Sequence, residues 1–274
     1  MSMPAPVRSH VTKLSVRNVS KTFRVAGVDK SFRLLPVLRN ISFEVFETEI
    51  VSLIGESGSG KTTMLRIVQG LIKADSGEIA VGATPIRGPG YDRGIVFQQA
   101  NLLPWLNAQS NVEFGLELKG VPKAERAERA RALLQLVGLT DFARQYPHQL
   151  SGGMQQRIGV ARALAIDPEI LLMDEPFSAL DAQTRESLQY ELLSIHAKTR
   201  KTILFVTHDL DEAVYLSDRV IIMGSRPGHV KEVVDVPFAR PRPSLTEMRG
   251  NPTFLELRDR IWQRIRPLQT AGAR

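Results

Sequence analysis

The chain has 274 residues, no cysteine, 43% hydrophobic and 24% charged residues, and a formal charge of +7. These values exclude disulfides, thiol catalysis and thiolate metal sites, and they allow one large or two small globular cores. No apolar stretch approaches the ~20 residues that span a bilayer, and Met1–His10 lacks the apolar core of a secretory signal, so a cytosolic chain is expected.

The positive charge is uneven. Arg8, Lys13, Arg17, Lys21, Arg24, Lys30, Arg33 and Arg39 face one acid, Asp29, and the tail from Arg240 to Arg274 is again arginine-rich. A solvated face is the simplest reading, and an anionic partner is the alternative. No aromatic residues interleave in the manner that stacks bases.

Val11–Phe23 alternates loosely and predicts a strand. Arg24–Pro36 is polar, basic and glycine-containing, which suggests a loop or hairpin insertion. Val37–Val45 returns to a strand pattern. The apolar run Ile50–Ile54 then leads into Gly55-Glu56-Ser57-Gly58-Ser59-Gly60-Lys61-Thr62, followed by Thr63 and a helical pattern to Ile72. This fits G-x-x-x-x-G-K-[ST] between a strand and a helix. Its glycines let successive N–H groups converge on an anion, Lys61 reaches the β- and γ-phosphates, and the Thr62 hydroxyl suits Mg²⁺. A glycine-rich turn with a chance lysine is the competing reading, and the strand–loop–helix order disfavours it.

Asp75-Ser-Gly77 marks a turn before a short strand, Glu78–Val81, and Gly88-Pro-Gly90 another before Gly94–Phe97. Between Gln109 and Leu139 the pattern is helical, with Glu125 and Arg129 at i,i+4 and an apolar stripe of Ala132, Leu133, Leu136 and Val137. Strands are expected again at Ile170–Met173, Ile203–Val206 and Val220–Met223. A β-like piece at Val230–Val236, a proline-rich Pro237–Pro243 and a terminal helix at Phe254–Ile265 close the chain.

The strand Ile170–Met173 ends in Asp174-Glu175. An acid at such a strand end holds Mg²⁺ in phosphoryl-transfer sites, here Asp174, and its neighbour Glu175 can orient or deprotonate an attacking water. Two solvated acids are the alternative. Leu150-Ser151-Gly152-Gly153-Met-Gln-Gln-Arg157 can form a second anion site from a hydroxyl, exposed backbone N–H groups and a helix N-terminus; a plain Ser-capped helix is the other reading.

With the phosphate loop upstream and the strand–Asp–Glu downstream, this string resembles the signature of the ATP-binding-cassette (ABC) family. The resemblance covers about residues 11–236. It implies an α/β fold: a P-loop NTPase (RecA-like) core with an antiparallel β subdomain and an inserted α-helical subdomain at about residues 99–163, followed by a C-terminal extension at 237–274. Gln98 resembles the family's Q-loop glutamine, a Mg²⁺ ligand and link to the membrane subunit. Ser178–Asp181 looks like the D-loop, His208 like the switch histidine at the γ-phosphate, and Phe23 like the aromatic that stacks on adenine, where the family more often has tyrosine. A surface glutamine, a core histidine and a core aromatic are the alternatives.

The resemblance further implies ATP and Mg²⁺ as ligands and a head-to-tail pair of cassettes, each ATP lying between one chain's Gly55–Thr62 and the other's Ser151–Gly153. The segments Gly88–Gln98 and Leu102-Leu-Pro-Trp105 look like the nitrate/sulfonate/taurine importer subfamily. Expected partners are two permease subunits and an extracytoplasmic solute-binding protein, at the cytoplasmic face of the membrane. Trp105 could anchor that interface or fill a joint between core and insert. Another solute (a thiamine-precursor pyrimidine, bicarbonate, an amino acid) is the nearest alternative; an ATPase acting on nucleic acid is a more distant one.

Overall fold

Fifteen residues of the opening segment form β1 (Thr12–Ala26) in the computed structural model, which describes residues 11–26 and 31–266. Then follow β2 (Phe32–Phe46), β3 (Ile50–Gly55), α1 (Lys61–Val68), β4 (Ser76–Val81) and β5 (Thr84–Pro85). Next come β6 (Arg93–Val96), α2 (Ala108–Leu118), α3 (Lys123–Leu136), α4 (Gly152–Ala165), β7 (Ile170–Asp174) and α5 (Ala182–Thr199). The chain ends with β8 (Thr202–Val206), α6 (Leu210–Leu216), β9 (Arg219–Gly224), β10 (His229–Asp235), α7 (Leu245–Arg249) and α8 (Pro252–Ile265). Contacts group Met1–Pro89 with Leu204–Arg274 in one unit and Gly90–Ile203 in another.

In the first unit β1 lies antiparallel between β2 and β4. Leu14, Val16 and Val19 are buried, and the odd step from Val16 to Val19 coincides with a register shift and a left-handed Asn18 at φ 51°. The loose alternation of the sequence is thus a bulge that keeps apolar side chains on one face. The suspected insertion at Arg24–Pro36 is a hairpin: the strands continue through it, with Ala26 opposite Phe32. Arg8, Lys30 and the chain beyond Arg266 lie outside the described residues.

The unit's other strands run in the order β10, β9, β3, β8. Every residue of β3 and β8 is buried, as expected for strands covered on both faces. β3 and β9 are parallel, with Gly55 opposite Met223. In the second unit β6 and β7 are parallel, with Val96 opposite Met173.

Helix α3 corrects the expected stripe. Its buried residues are Ala130 and Leu134, joined by Val137 at the cap, whereas Ala132 is exposed. The seam runs i, i+4, i+7 through Ala130, where the sequence offered alanines on two faces. Among the described residues no helix is long and apolar enough to cross a membrane.

Candidate functional site

β3 delivers the chain into a turn at Glu56–Gly60. Gly58 and Gly60 have φ of +80° and +87°, where a side chain strains the backbone. A Cβ on Gly60 would also lie 2.4 Å from Leu38 Cδ2. Gly60 is the N-cap of α1; no side chain caps that helix and no acid stands in its first turn. Its first N–H groups and positive dipole end are therefore left for an anion. Lys61 is buried, and its ammonium donates to the carbonyls of Gly55 (2.8 Å) and Glu56 (3.1 Å). The Ser59 hydroxyl is buried without a hydrogen-bond partner. Such an orphan costs about 1–3 kcal/mol, which an anionic oxygen in the cradle would relieve. The Glu56 carboxylate accepts from Ser225 Oγ at 3.1 Å. Ser57 and Thr62 are exposed, and Thr63 is half-buried.

His208 follows β8 and is exposed, which excludes a core histidine. The Thr207 N–H donates to the Leu53 carbonyl at 3.3 Å, so β8 delivers His208 beside the strand that feeds the loop. The Thr207 hydroxyl donates to Glu212 at 2.6 Å, and Asp209 caps α6 by accepting from Glu212 N at 3.1 Å. Phe23 is half-buried opposite Leu35, with the Lys21 ammonium 5.4 Å from its ring centre. It is not a core aromatic.

In the second unit the parallel register of β6 and β7 brings Gln98, Asp174 and Glu175 to one end of the pair. Gln98 is exposed and Asp174 and Glu175 are half-buried. Glu175 has φ 45°, a left-handed conformation uncommon for a residue with a side chain. Its carbonyl accepts from Ser178 Oγ at 2.9 Å and Ser178 N at 3.2 Å, which fixes the turn. Ser151 caps α4 by accepting from Met154 N at 3.3 Å, and this leaves its hydroxyl proton to donate. The capped-helix and anion-site readings are therefore compatible. A Cβ on Gly153 would lie 2.8 Å from Thr184 Cγ2, and one on Gly152 3.4 Å from Leu180 Cδ2. The Ser151–Gly153 tip thus sits beside Leu180–Thr184, where Asp181 caps α5. The Thr184 backbone N–H holds the Asp181 carboxyl below the usual carboxylate range.

Two side chains that motif reading missed tie α4 to the Gln98 loop. Gln156 Nε2 donates to the Phe97 carbonyl at 2.8 Å, and Arg162 donates to the carbonyls of Ala100 (2.6 Å) and Asn101 (2.8 Å). Burial draws the Arg162 pKa down. Arg93 pairs with Asp92 at 2.9 Å. Trp105 is 69% exposed, so it fills no internal joint. In the first unit the Thr62 hydroxyl stands beside the cradle with the orphaned Ser59 hydroxyl, and in the second Gln98 and Asp174 offer an amide and a carboxylate oxygen; oxygen ligands of this kind suit Mg²⁺, so the residues present fit a magnesium–phosphate group.

The family model described as ABC transporter matches residues 38–178. The chain is 52% identical to an uncharacterised ABC transporter ATP-binding protein of Methanocaldococcus jannaschii, covering 91% of this chain and 90% of that one. It is 43% identical to the taurine import ATP-binding protein of Pseudomonas putida, over 84% of this chain and 89% of the relative. Among solved structures it is similar to a dimeric ATP-binding cassette in a post-hydrolysis state with ADP and Pi. That match has 36% identity and a TM-score of 0.69, and it covers 82% of this chain and all of the other.

Proposed function

This chain belongs to the ABC transporter family and is an ATPase, and from that premise we propose that it powers import of a small anionic solute such as an aliphatic sulfonate, taurine or nitrate. The observation that carries the import reading is the likeness to taurine import ATP-binding proteins, 43% identical in Pseudomonas putida and 45% in Rhizobium johnstonii, over 84% of the chain in both. It spans the phosphate loop, the Gln98 loop and the Ser151 helix together.

The proposed roles follow from each residue's surroundings. Gly55–Thr63 wraps the phosphates, with Lys61 turning its ammonium from the loop carbonyls to the β- and γ-phosphate oxygens. Phe23 stacks on adenine. Glu175, held in a left-handed turn, orients the attacking water and accepts its proton. His208 contacts the γ-phosphate. Thr62, Gln98 and Asp174 would hold Mg²⁺, which supplies charge neutralisation at the phosphate oxygens when bound. Ser151, Gly152 and Gly153 of a second cassette donate to the same triphosphate from the opposite side, near the capping Asp181.

ATP then favours the paired state through contacts that the γ-phosphate alone provides, and hydrolysis removes them. The pair works at the cytoplasmic membrane face with two permease subunits and an extracytoplasmic binding protein. Exposed Trp105, close in sequence to Gln98, suits an aromatic anchor for a permease segment.

The test is ATP turnover by the full complex with its permease and binding protein in lipid vesicles. Taurine, alkanesulfonates or nitrate should stimulate hydrolysis several-fold. Stimulation only by a neutral pyrimidine or an amino acid would overturn the solute class. Tight binding of the isolated chain to duplex DNA at physiological salt would overturn transport itself.

A further inference from the structure

The segment after β10 grips both ends of α6. Arg242 is buried, and its guanidinium donates to the carbonyls of Val214 (3.1 Å), Tyr215, Ser217 (2.6 Å) and Phe238 (3.2 Å). It thereby satisfies carbonyls at the C-terminal end of α6 that the helix leaves open. Burial draws its pKa down to about 9, so it remains a cation at neutral pH. Arg240 adds a bond to the Leu216 carbonyl at 2.7 Å.

At the other end, Asp211 in the first turn of α6 is held from two further helices. Arg249 of α7 reaches it at 2.7 Å and Arg258 of α8 at 3.9 Å. α8 buries Phe254, Leu257 and Ile261, and Phe254 meets the Phe238 ring at 6.2 Å between centroids. The clamp therefore has its own apolar footing.

His208 stands between two residues tied into that same first turn. The Thr207 hydroxyl bonds Glu212, the Asp209 N–H bonds Thr207 Oγ1 at 3.0 Å, and the Asp209 carboxylate caps the helix. A shift of α6 along or about its axis must move His208. We propose that the segment Phe238–Ile265 is a brace that positions His208 for hydrolysis through α6, with Arg249 and Arg258 as positioning residues. This rests on the reading of His208 as the γ-phosphate contact.

The test uses the full-length chain with Arg249→Ala and Arg258→Ala combined, since Arg242 is buried and its loss would endanger folding. Turnover number should fall about three- to tenfold with KM for ATP unchanged, because placement and not nucleotide binding is disturbed. The Arg249→Lys, Arg258→Lys pair should recover most of the loss. In a His208→Ala background the alanine pair should cost nothing further. An equal loss in both backgrounds, a rise in KM without a fall in turnover, or no effect at all overturns the brace while leaving His208 in its role. Full turnover by His208→Ala alone overturns the underlying reading and the brace with it.

Discussion

In its proposed role Lys61 serves two states. With its ammonium on the Gly55 and Glu56 carbonyls it is already paired and buried, so binding a triphosphate would exchange two carbonyl partners for stronger charged ones. Lys61→Ala should weaken ATP binding roughly 100-fold with little change in fold, checked by calorimetric titration alongside circular dichroism. Unchanged affinity would mean that the cradle's N–H groups and the Ser59 hydroxyl suffice. Glu175 carries a different burden, a left-handed backbone at φ 45° that the Ser178 bonds sustain.

Elements position these residues by register and by charge. Val96 opposite Met173 places Gln98 and Asp174 at one strand end, and α4 holds the Gln98 loop through Gln156 and Arg162. Around α6 and β9 the arginine-rich tail pairs with the chain's own acids: Arg240 with Asp218, Arg249 with Asp211, and Arg260 and Arg264 with Glu232. Arg240 and Arg242 are turned inward, whereas Arg249, Arg260 and Arg264 keep a solvated face while pairing with acids of the chain. Burial alone would raise the Asp218 pKa, but Arg240, the Ile50 N–H and Arg242 outweigh it and draw it below the usual range. Folding therefore favours the ionised form. Its contribution is complete above about pH 4 and is lost as pH falls through the lower folded value. Asp218→Asn should cost about 1–3 kcal/mol at pH 7 through the donors it leaves unsatisfied, and the thermal midpoints of variant and parent should converge toward acid. A gap that stays constant down to low pH would contradict that origin.

At the scale of the whole molecule, the proposed mechanism places each triphosphate between two cassettes. Helix α1 and helix α4 each present a positive end, and neither has an acid in its first turn. In the proposed pair, triphosphate between two such ends would offset the repulsion between them. Glu175→Gln should abolish turnover and accumulate a dimer in ATP that light scattering detects and ADP does not support. A variant that stays monomeric in saturating ATP, or that hydrolyses at the parental rate, would count against the sandwich.

Local chemistry determined much of this on its own. Gly55–Thr62, Asp174-Glu175 and Ser151–Gly153 are contiguous strings whose backbone geometry follows from residues a few positions apart, so the sequence made them readable. The buried strands were legible too, since β3, β7 and β8 are short, mostly apolar runs. Distant pairings were not. Which face of α3 is buried, that Trp105 is exposed, and that Arg240, Arg242, Arg249 and Arg258 close on α6 depend on partners far along the chain. A guanidinium in a tail can find water, an anion or a helix end, and only the packed fold fixes which of these lies within hydrogen-bond reach.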